Sequence, residues 1–189
     1  DTAYFATAAP FQPEPRIVFV GSLASFNPIA AALHFTRTLW PKLREHIPEL
    51  TLTIVGARPS AEVAALSALP GVTVTGTVPD VRPFYANALA AIVPLRTGGG
   101  TRLKILEAMA AGVPVISTEL GAEGLAINPG SDILIAPPDS VDPWLAHIQQ
   151  LLRQPNRRAA LATTARQLLQ NRYDSNLIGA SLFARYDRS

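Results

Sequence analysis

Short apolar segments alternate with helical patterns along this sequence, and this alternation limits the folds open to the chain more than any other feature. Each segment ends at a glycine or directly before a proline or serine, and the segments lie at 16–21, 51–56, 72–76, 90–93, 113–116 and 133–136. Apolar runs between turn signals are typical of strands buried on both faces, and strands that alternate with helices form parallel sheets. The sequence therefore predicts an α/β fold, a Rossmann-like, doubly wound parallel sheet of about six strands with helices at its C-terminal end.

The predicted helices fill the intervals between these strands. Asn27, Ser60 and Asp80 stand where a side chain can accept a hydrogen bond from a backbone N–H at a helix start. Prolines at 10, 13 and 15 interrupt any periodic pattern, so residues 1–15 are interpreted as an extended linker and 16–172 as one domain. We expect helices at 28–46, 60–69, 80–87, 142–154 and 156–171, and a helical tail within 173–189.

Three consecutive glycines, Gly98, Gly99 and Gly100, separate the fourth predicted strand from a helix. Glycine permits positive φ angles and lets a backbone approach a ligand closely. The unpaired N–H groups and the positive dipole of the following helix face whatever binds above the loop, and phosphate is a frequent occupant of such sites. Arg102 and Lys104 are expected in the first turn, where cations oppose the dipole, so their placement indicates an anion nearby.

A purely structural interpretation of this stretch is also open. Lys104 and Glu107 are spaced i,i+3 and can form a solvated salt bridge worth a few tenths of a kcal/mol, and glycines before a helix are often only a tight turn. The context favours a ligand, because the loop follows a strand of a βαβ unit, where open α/β sheets bind ligands. Helical spacing places Ala111 beside Lys104 and Glu107 and predicts a core-facing side made of Leu103, Leu106, Ala110 and Val113.

Composition excludes several classes of function. The chain of 189 residues carries 16 basic and 14 acidic residues, a balance that does not indicate nucleic-acid binding. It has no cysteine, which excludes disulfides and thiol chemistry. His34, His46 and His147 lie on predicted helices remote from the glycine run and lack ligand spacing, so we expect no metal and no cofactor. We expect a cytoplasmic location, because no signal-peptide pattern or membrane-spanning run is present.

The residues from Leu106 to Ile116, LEAMAAGVPVI, are followed by Thr118, Gly121, Glu123 and Gly124. This run resembles the signature of the GT-B glycosyltransferases of the retaining family 4 type, or glycosyl transferases group 1. The similarity extends from about Arg16 to the C-terminus, which corresponds to the C-terminal, donor-binding domain of such enzymes. It implies that residues 16–172 bind a nucleotide diphosphate sugar. It also implies that an N-terminal acceptor-binding domain is missing, so we expect a truncated or excised domain that is inactive by itself.

The resemblance implies roles for particular residues. Arg102 and Lys104 would stabilise the diphosphate leaving group, which is the catalytic contribution of this domain. Glu107 would accept hydrogen bonds from the ribose hydroxyls, which a carboxylate can accept in bidentate fashion. Tyr85 would flank the base, although it is equally credible as a core aromatic with a satisfied hydroxyl. The remaining substrate-binding residues implied are Gly98, Gly99, Gly100 and Thr101 of the loop and Val78 and Val81 near the base.

Two positions depart from the family pattern. Members often carry an Arg shortly after the first strand and a Lys a few residues later, whereas here Ser22 follows Gly21 and the stretch LASFNPIAA has no cation. The first glutamate of the family's Glu-x7-Glu motif is replaced by Gly99. Phosphate binding is therefore expected to depend on loop amides and the cations of the helix start, and the sequence supports nucleotide binding better than sugar recognition.

The activity implied is transfer of a sugar from a nucleotide diphosphate sugar to an acceptor, with retention and without a metal ion. Peripheral attachment of a full-length enzyme to a membrane stays open, as do the base, the sugar and the acceptor. Two other classes stay open: a non-catalytic nucleotide-binding or partner-docking module, and a nucleotide-sugar epimerase of GT-B fold. Glu119 and Glu123 suggest an acid/base pair, although glutamates of surface loops without a catalytic role are more common. Asp80 is interpreted as a helix cap rather than a base contact.

Overall fold

A computed structural model describes Phe5, residues 14–98 and residues 102–173, and all structural statements concern these residues. They form an all-parallel sheet of six strands in the order β3-β2-β1-β4-β5-β6, which confirms the predicted fold class. The strands are β1 (Glu14–Val20), β2 (Thr51–Val55), β3 (Val72–Val74), β4 (Ala88–Val93), β5 (Val115–Ser117) and β6 (Leu134–Ile135). The first strand thus begins two residues before the predicted start, while the predicted tail after Tyr173 lies outside the described residues.

Eight α-helical segments connect or follow these strands in the described residues. The segment predicted as one helix at 28–46 is continuous, but a π-helical stretch, Phe35–Leu39, divides it in two. The predicted helix at 60–69 ends in a 3-10 turn, Ala65–Ala68. The α-helices are α1 (Phe26–His34), α2 (Trp40–His46), α3 (Ala61–Ala64), α4 (Arg82–Tyr85), α5 (Leu103–Ala110), α6 (Glu119–Ala122), α7 (Val141–Arg153) and α8 (Pro155–Arg172).

Side chains of the central strands alternate between two buried layers. Ile17 and Phe19 of β1 join a core with the first helical segments and α7, whereas Val18 and Val20 join a second core with α5 and α8. In the first core the rings of Phe35 and Trp144 meet edge to face with centroids 5.2 Å apart. Burial on both faces explains why the strands appear in the sequence as continuous apolar runs.

The core-facing side of α5 differs from the prediction. Leu103 is 56% exposed, whereas Ile105, Ala108 and Met109 are fully buried. Leu103 is the first residue of the helix and lies beside the carboxyl edge of the sheet, so it projects past the sheet instead of onto it. Ala110 and Val113 are buried as predicted, and Leu106 packs partly buried against the second core, whereas Ala111, predicted on the side of Lys104 and Glu107, is buried as well.

The strand order reverses between β1 and β4, because successive strands add on one side of β1 up to β3 and on the other side from β4 onward. At such a reversal the loops that leave the two central strands diverge, and a crevice opens at their carboxyl ends. The fold therefore places the loop after β1 and the loop after β4 on either side of one crevice. Among the described residues no helix combines the length and the hydropathy needed to span a bilayer.

Candidate functional site

A cleft of about 280 Å³ occupies the position at which the strand order reverses. Its walls come from the loop after β1, the loop after β4 and the start of α5, and Gly121 of α6 closes one side. Most of its lining is apolar, with a few polar groups, which is the usual character of a ligand site. The lining residues are Phe19, Val20, Gly21, Ser22, Pro28, Val93, Leu95, Arg102, Leu103, Lys104, Ile105 and Gly121.

Gly98, the first of the three glycines, lies against α1. Gly98 has a φ of +99°, which an L side chain rarely adopts, and a Cβ at this position would collide with the side chain of Asn27. The hydroxyl of Thr97 donates to Asn27 Oδ1 at 3.1 Å, so this helix anchors the start of the loop. Asn27 was predicted as the cap of its helix, but Ser25 holds the N-cap position. The predicted phosphate-binding residues Gly99, Gly100 and Thr101 lie outside the described residues.

Arg102 does not lie in the first turn of α5, contrary to the prediction. It is the N-cap residue in a left-handed conformation (φ 53°, ψ 23°), and its side chain is only 5% exposed. Its guanidinium lies 3.3 Å from Glu123 Oε2 and donates to the Glu123 carbonyl at 3.3 Å. A left-handed non-glycine residue is uncommon and is often held in place at a functional site. Arg102 therefore reaches the cleft as a fixed, paired cation.

Lys104 and Glu107 form a two-pronged ion pair on α5. Lys104 Nζ donates to both carboxylate oxygens of Glu107, at 2.9 and 2.8 Å. The lysine side chain is 43% exposed and the glutamate side chain 18% exposed, and Lys104 also lines the cleft. The predicted i,i+3 pairing is thus formed. The resemblance assigns the diphosphate to Lys104 and the ribose to Glu107. In the free chain the two side chains bind each other instead.

The residues expected near the base belong to the second core or pack against it. Val78 and Val81 are partly buried and pack against this core, which includes Tyr85. Tyr85 is completely buried, so the structure supports its interpretation as a core aromatic, but not the expectation of a satisfied hydroxyl. No described residue bonds to that hydroxyl. Its pKa is raised by burial and, secondarily, by the charge of Glu107.

Asp80 stabilises the start of α4. Its Oδ1 accepts from the backbone N–H of Arg82 at 2.9 Å, and its Oδ2 lies 2.7 Å from the guanidinium of the same residue. Hydrogen bonds from Arg82 hold the pKa of Asp80 below its ordinary value. These contacts support the interpretation of Asp80 as a cap, with Val81 rather than Asp80 directly preceding the helix.

The second glycine-bearing turn closes the cleft through α6. Thr118 is a buried N-cap whose hydroxyl accepts from the Gly121 N–H at 2.9 Å and donates to the Leu95 carbonyl at 2.7 Å. A Cβ at Gly121 would lie 2.7 Å from the carbonyl oxygen of Val93, so only glycine fits here. Glu119 is exposed at the start of α6, while Glu123 pairs with Arg102. The proposed acid/base pair therefore has one member already held by a cation.

His34 lies closer to the glycine loop than the sequence predicts. Its Nε2 is 2.9 Å from Asp139 Oδ1, and Arg96, two residues before Gly98, places its Nε 3.1 Å from the same oxygen. Sequence reasoning could not find this contact, because it joins elements about a hundred positions apart. Within the described ranges no three histidine or acidic side chains are grouped as metal ligands would be.

Sequence reasoning also missed the apolar wall of the cleft and the partner of Arg102. The wall residues belong to strands and to the starts of α1 and α5, where their apolar character is equally expected of core residues. Glu123 was considered only as a possible catalytic acid. Its pairing with Arg102 depends on the left-handed backbone at Arg102, for which the sequence gives no signal.

The fold and the cleft define a class: an α/β domain with a cleft, lined in part by Arg102 and Lys104, at the point where the order of a parallel sheet reverses. The model of the family described as glycosyl transferases group 1 matches residues 14–154 of the chain. The chain belongs to this family.

Two of the curated relatives are named as enzymes of sugar transfer. A D-inositol 3-phosphate glycosyltransferase of Rhodococcus jostii is 30% identical over 84% of this chain and 38% of its own length. A GDP-mannose-dependent phosphatidylinositol monomannoside mannosyltransferase of Mycolicibacterium smegmatis is 28% identical over 75% of this chain and 41% of its own length. The chain spans less than half the length of the curated relatives it matches.

Solved structures of glycosyltransferases share the fold. The C-terminal domain of a group 1 glycosyl transferase from Francisella tularensis matches with a TM-score of 0.69 and 17% identity, over 93% of this chain and 98% of that one. The Anabaena protein HepE, solved in complex with UDP and glucose, matches with a TM-score of 0.73 and 17% identity, over 92% of this chain and 48% of that one. These similarities show that the chain has the Rossmann-like α/β fold found in GT-B glycosyltransferase structures.

Proposed function

We propose that the chain is the donor-binding, C-terminal half of a retaining glycosyltransferase and binds a nucleotide diphosphate sugar in the cleft. The observation that carries this proposal is the Lys104–Glu107 pair, which lies beside the N-terminus of α5 at the point where the sheet order reverses. One cation and one carboxylate at this place match a diphosphate and a ribose, respectively.

The free chain and the bound chain would differ in the partners of these two side chains. Lys104 is bonded to both oxygens of Glu107, so a bound diphosphate has to draw the ammonium away before the carboxylate can accept the ribose hydroxyls. The exchange is inexpensive because the pair is partly exposed, and an exposed pair of this kind contributes roughly 0–1 kcal/mol. The site therefore keeps both charges neutralised until a ligand arrives.

In the reaction, the bond between the anomeric carbon and a diphosphate oxygen breaks, and the diphosphate leaves with the electron pair. The negative charge that develops on it would be stabilised by Lys104, by Arg102 at the cleft wall and by the positive end of α5. The oxygen of an acceptor hydroxyl then bonds to the anomeric carbon with the configuration retained, and the hydroxyl proton passes to the leaving diphosphate. No step requires a metal ion from this domain, since the cations and the helix terminus supply the positive charge.

The nature of the nucleotide is suggested by the relatives, which divide between two bases. The Mycolicibacterium relative is named for GDP-mannose, whereas the Anabaena structure contains UDP. We propose that the turn containing Val78 and Val81 contacts the base through backbone groups, because it packs against the second core, to which α5, the helix that carries Glu107, also contributes. The acceptor would be bound by a second, N-terminal domain, as the share of the relatives that this chain covers suggests.

The experiment is a calorimetric titration of the chain with UDP and with GDP in the presence of EDTA. We expect one of them to bind, and Glu107→Ala to weaken binding at least tenfold, or about 1.4 kcal/mol. Glu45→Ala removes an exposed carboxylate from α2, on the opposite face of the sheet, and should leave the affinity unchanged.

Two results would contradict the proposal in different ways. The absence of a response to either nucleotide would favour a non-catalytic module, which the lack of a cation after Ser22 also favours. Measurable sugar transfer by the chain alone would contradict the assignment of acceptor binding to another domain.

A further inference from the structure

The guanidinium of Arg102 uses only part of its hydrogen-bonding capacity in the free chain. Its side chain is 5% exposed, and the residue lines the cleft. Arginine carries five N–H donors in a rigid, planar fork. Glu123 accepts from two of them, through its carbonyl from Nε and through its carboxylate oxygen Oε2 from Nη2, each at 3.3 Å. The other three are bonded to no described residue. Since buried donors in proteins are nearly always paired, these donors indicate a ligand in the cleft.

Both contacts with Glu123 lie on the same edge of the guanidinium. Nε and Nη2 form the side edge of an arginine fork, whereas Nη1 and Nη2 form its end. The end of the fork can donate two parallel hydrogen bonds to two oxygens of one phosphate group. Because Glu123 occupies the side edge, the end of the Arg102 fork is left for an anion in the cleft.

The backbone that carries Glu123 is itself fixed beside the cleft. Glu123 directly follows α6, and its N–H donates to the Leu120 carbonyl at 3.3 Å. The first turn of α6 is tied to the loop after β4, because the Thr118 hydroxyl donates to the Leu95 carbonyl at 2.7 Å. Glu123 therefore holds Arg102 from a rigid support, and the carboxylate adds a second contact that sets the rotation of the guanidinium.

The backbone of Arg102 also depends on being held. Its φ of 53° and ψ of 23° are left-handed, a conformation that is uncommon for arginine and is kept only where the surroundings fix it. The contacts with Glu123 join two turns that are 21 residues apart in the chain. They fix the residue from which α5 starts, and so the position of the cation at the cleft wall.

We propose that Glu123 is a positioning residue, which holds the side edge of the Arg102 guanidinium so that its end faces the diphosphate of a bound nucleotide. The proposal rests on the proposed function and adds to it a residue that touches no ligand. The sign of the effect makes it testable. A carboxylate near a bound anion repels it, so charge alone predicts tighter binding when Glu123 is removed, whereas positioning predicts weaker binding.

The test is a calorimetric titration with UDP or GDP, whichever the wild-type chain binds. Glu123→Ala should weaken binding by about three- to tenfold, as the loss of one oriented hydrogen bond would, although it removes a negative charge. Glu123→Gln keeps an oxygen that can accept from Nη2, so its affinity should stay within about twofold of the wild type. Unchanged or tighter binding by Glu123→Ala would overturn the proposal, and so would a Glu123→Gln variant that binds as weakly as Glu123→Ala.

A second pair of variants tests whether Glu123 acts through Arg102. Arg102→Gly removes the side chain and suits the left-handed backbone, because glycine adopts positive φ readily. In this background Glu123→Ala should cause no further loss of affinity. A loss as large as in the wild-type background would overturn the proposal, since Glu123 would then act without the guanidinium.

Glu62→Ala is the matched control. Glu62 is also an exposed glutamate paired with an arginine, Arg37, at 2.7 Å, and neither is among the described residues that line the cleft. The substitution makes the same change of charge and should leave the affinity unchanged. A loss as large as that of Glu123→Ala would assign the effect to net charge and overturn the proposal.

Failure of this proposal can be told from failure of the proposed function. If the wild-type chain binds neither nucleotide, the proposed function fails and the role of Glu123 fails with it. If the wild-type chain and Glu123→Ala bind a nucleotide equally well, only the role of Glu123 fails.

Discussion

The charged residues of this site differ in how much they contribute to the stability of the fold and in how free they are to bind a ligand. Lys104 and Glu107 are partly exposed, so their ion pair adds little to the stability of the fold, yet they carry the two charges that a nucleotide diphosphate would use. Arg102 is the reverse case: its side chain is 5% exposed and held by Glu123, which fixes a cation at the cleft wall. The site thus contains one cation that can move and one that cannot.

Asp80 makes the free energy of unfolding depend on pH in the acidic range. Because Arg82 holds its pKa below 3.8 in the folded chain, the unfolded chain binds protons at this group more readily. The stabilisation from Asp80 is therefore fully present above about pH 4 and is lost as the pH falls through the lower pKa of the folded state. Asp80→Asn, which keeps an acceptor for the backbone N–H, should reduce the slope of unfolding free energy against pH in this acidic range.

The measurement is urea unfolding of both proteins at a series of pH values between about 2 and 5. The difference in stability between wild type and variant should shrink as the pH falls. A constant difference across the series would show that the Asp80–Arg82 contact contributes no pH dependence.

At the scale of single elements, α5 is the piece on which the site depends. Its buried side, Ile105, Ala108 and Met109, fixes the helix on the sheet, while its start projects past the sheet edge and leaves Leu103 beside the cleft. This arrangement brings Lys104 to the cleft and leaves Glu107 one turn further along the helix. The helix is thus held by one face and presents the other to a ligand.

Two alanine substitutions test which face of α5 is buried. Ile105→Ala should lower the free energy of unfolding by about 2–4 kcal/mol, because it leaves a cavity under a completely buried side chain. Leu103→Ala should cost no more than about 0.5 kcal/mol, because the side chain is already 56% exposed. Urea unfolding gives both values. A larger loss of unfolding free energy for Leu103→Ala would show that Leu103 faces the core, as helical spacing alone predicts.

At the scale of the whole molecule, the sheet could be predicted because each strand carries its own evidence. Runs such as 16–21 and 51–56 are mostly apolar and end in glycine, and the structure has strands there with parallel register. The reversal between β1 and β4 follows the usual strand order of doubly wound sheets, so the position of the cleft could also be predicted from the sequence.

Details that depend on tertiary contacts were not predictable. Helical spacing assigned Leu103 to the core because it cannot tell where a helix passes the edge of a sheet. The left-handed backbone of Arg102 and its contact with Glu123 involve residues that no local pattern connects. The link from His34 to Arg96 through Asp139 likewise exists only once the chain is folded.

The most direct test of the central claim is a crystal structure of the chain with the nucleotide diphosphate that binds in calorimetry. We predict the diphosphate at the N-terminus of α5 within hydrogen-bond distance of Lys104 Nζ, and the ribose hydroxyls on the carboxylate of Glu107. The Lys104–Glu107 pair should be open in that structure. A nucleotide bound elsewhere, for example in the cavity between Thr118 and Pro137, with the Lys104–Glu107 pair intact, would contradict the account.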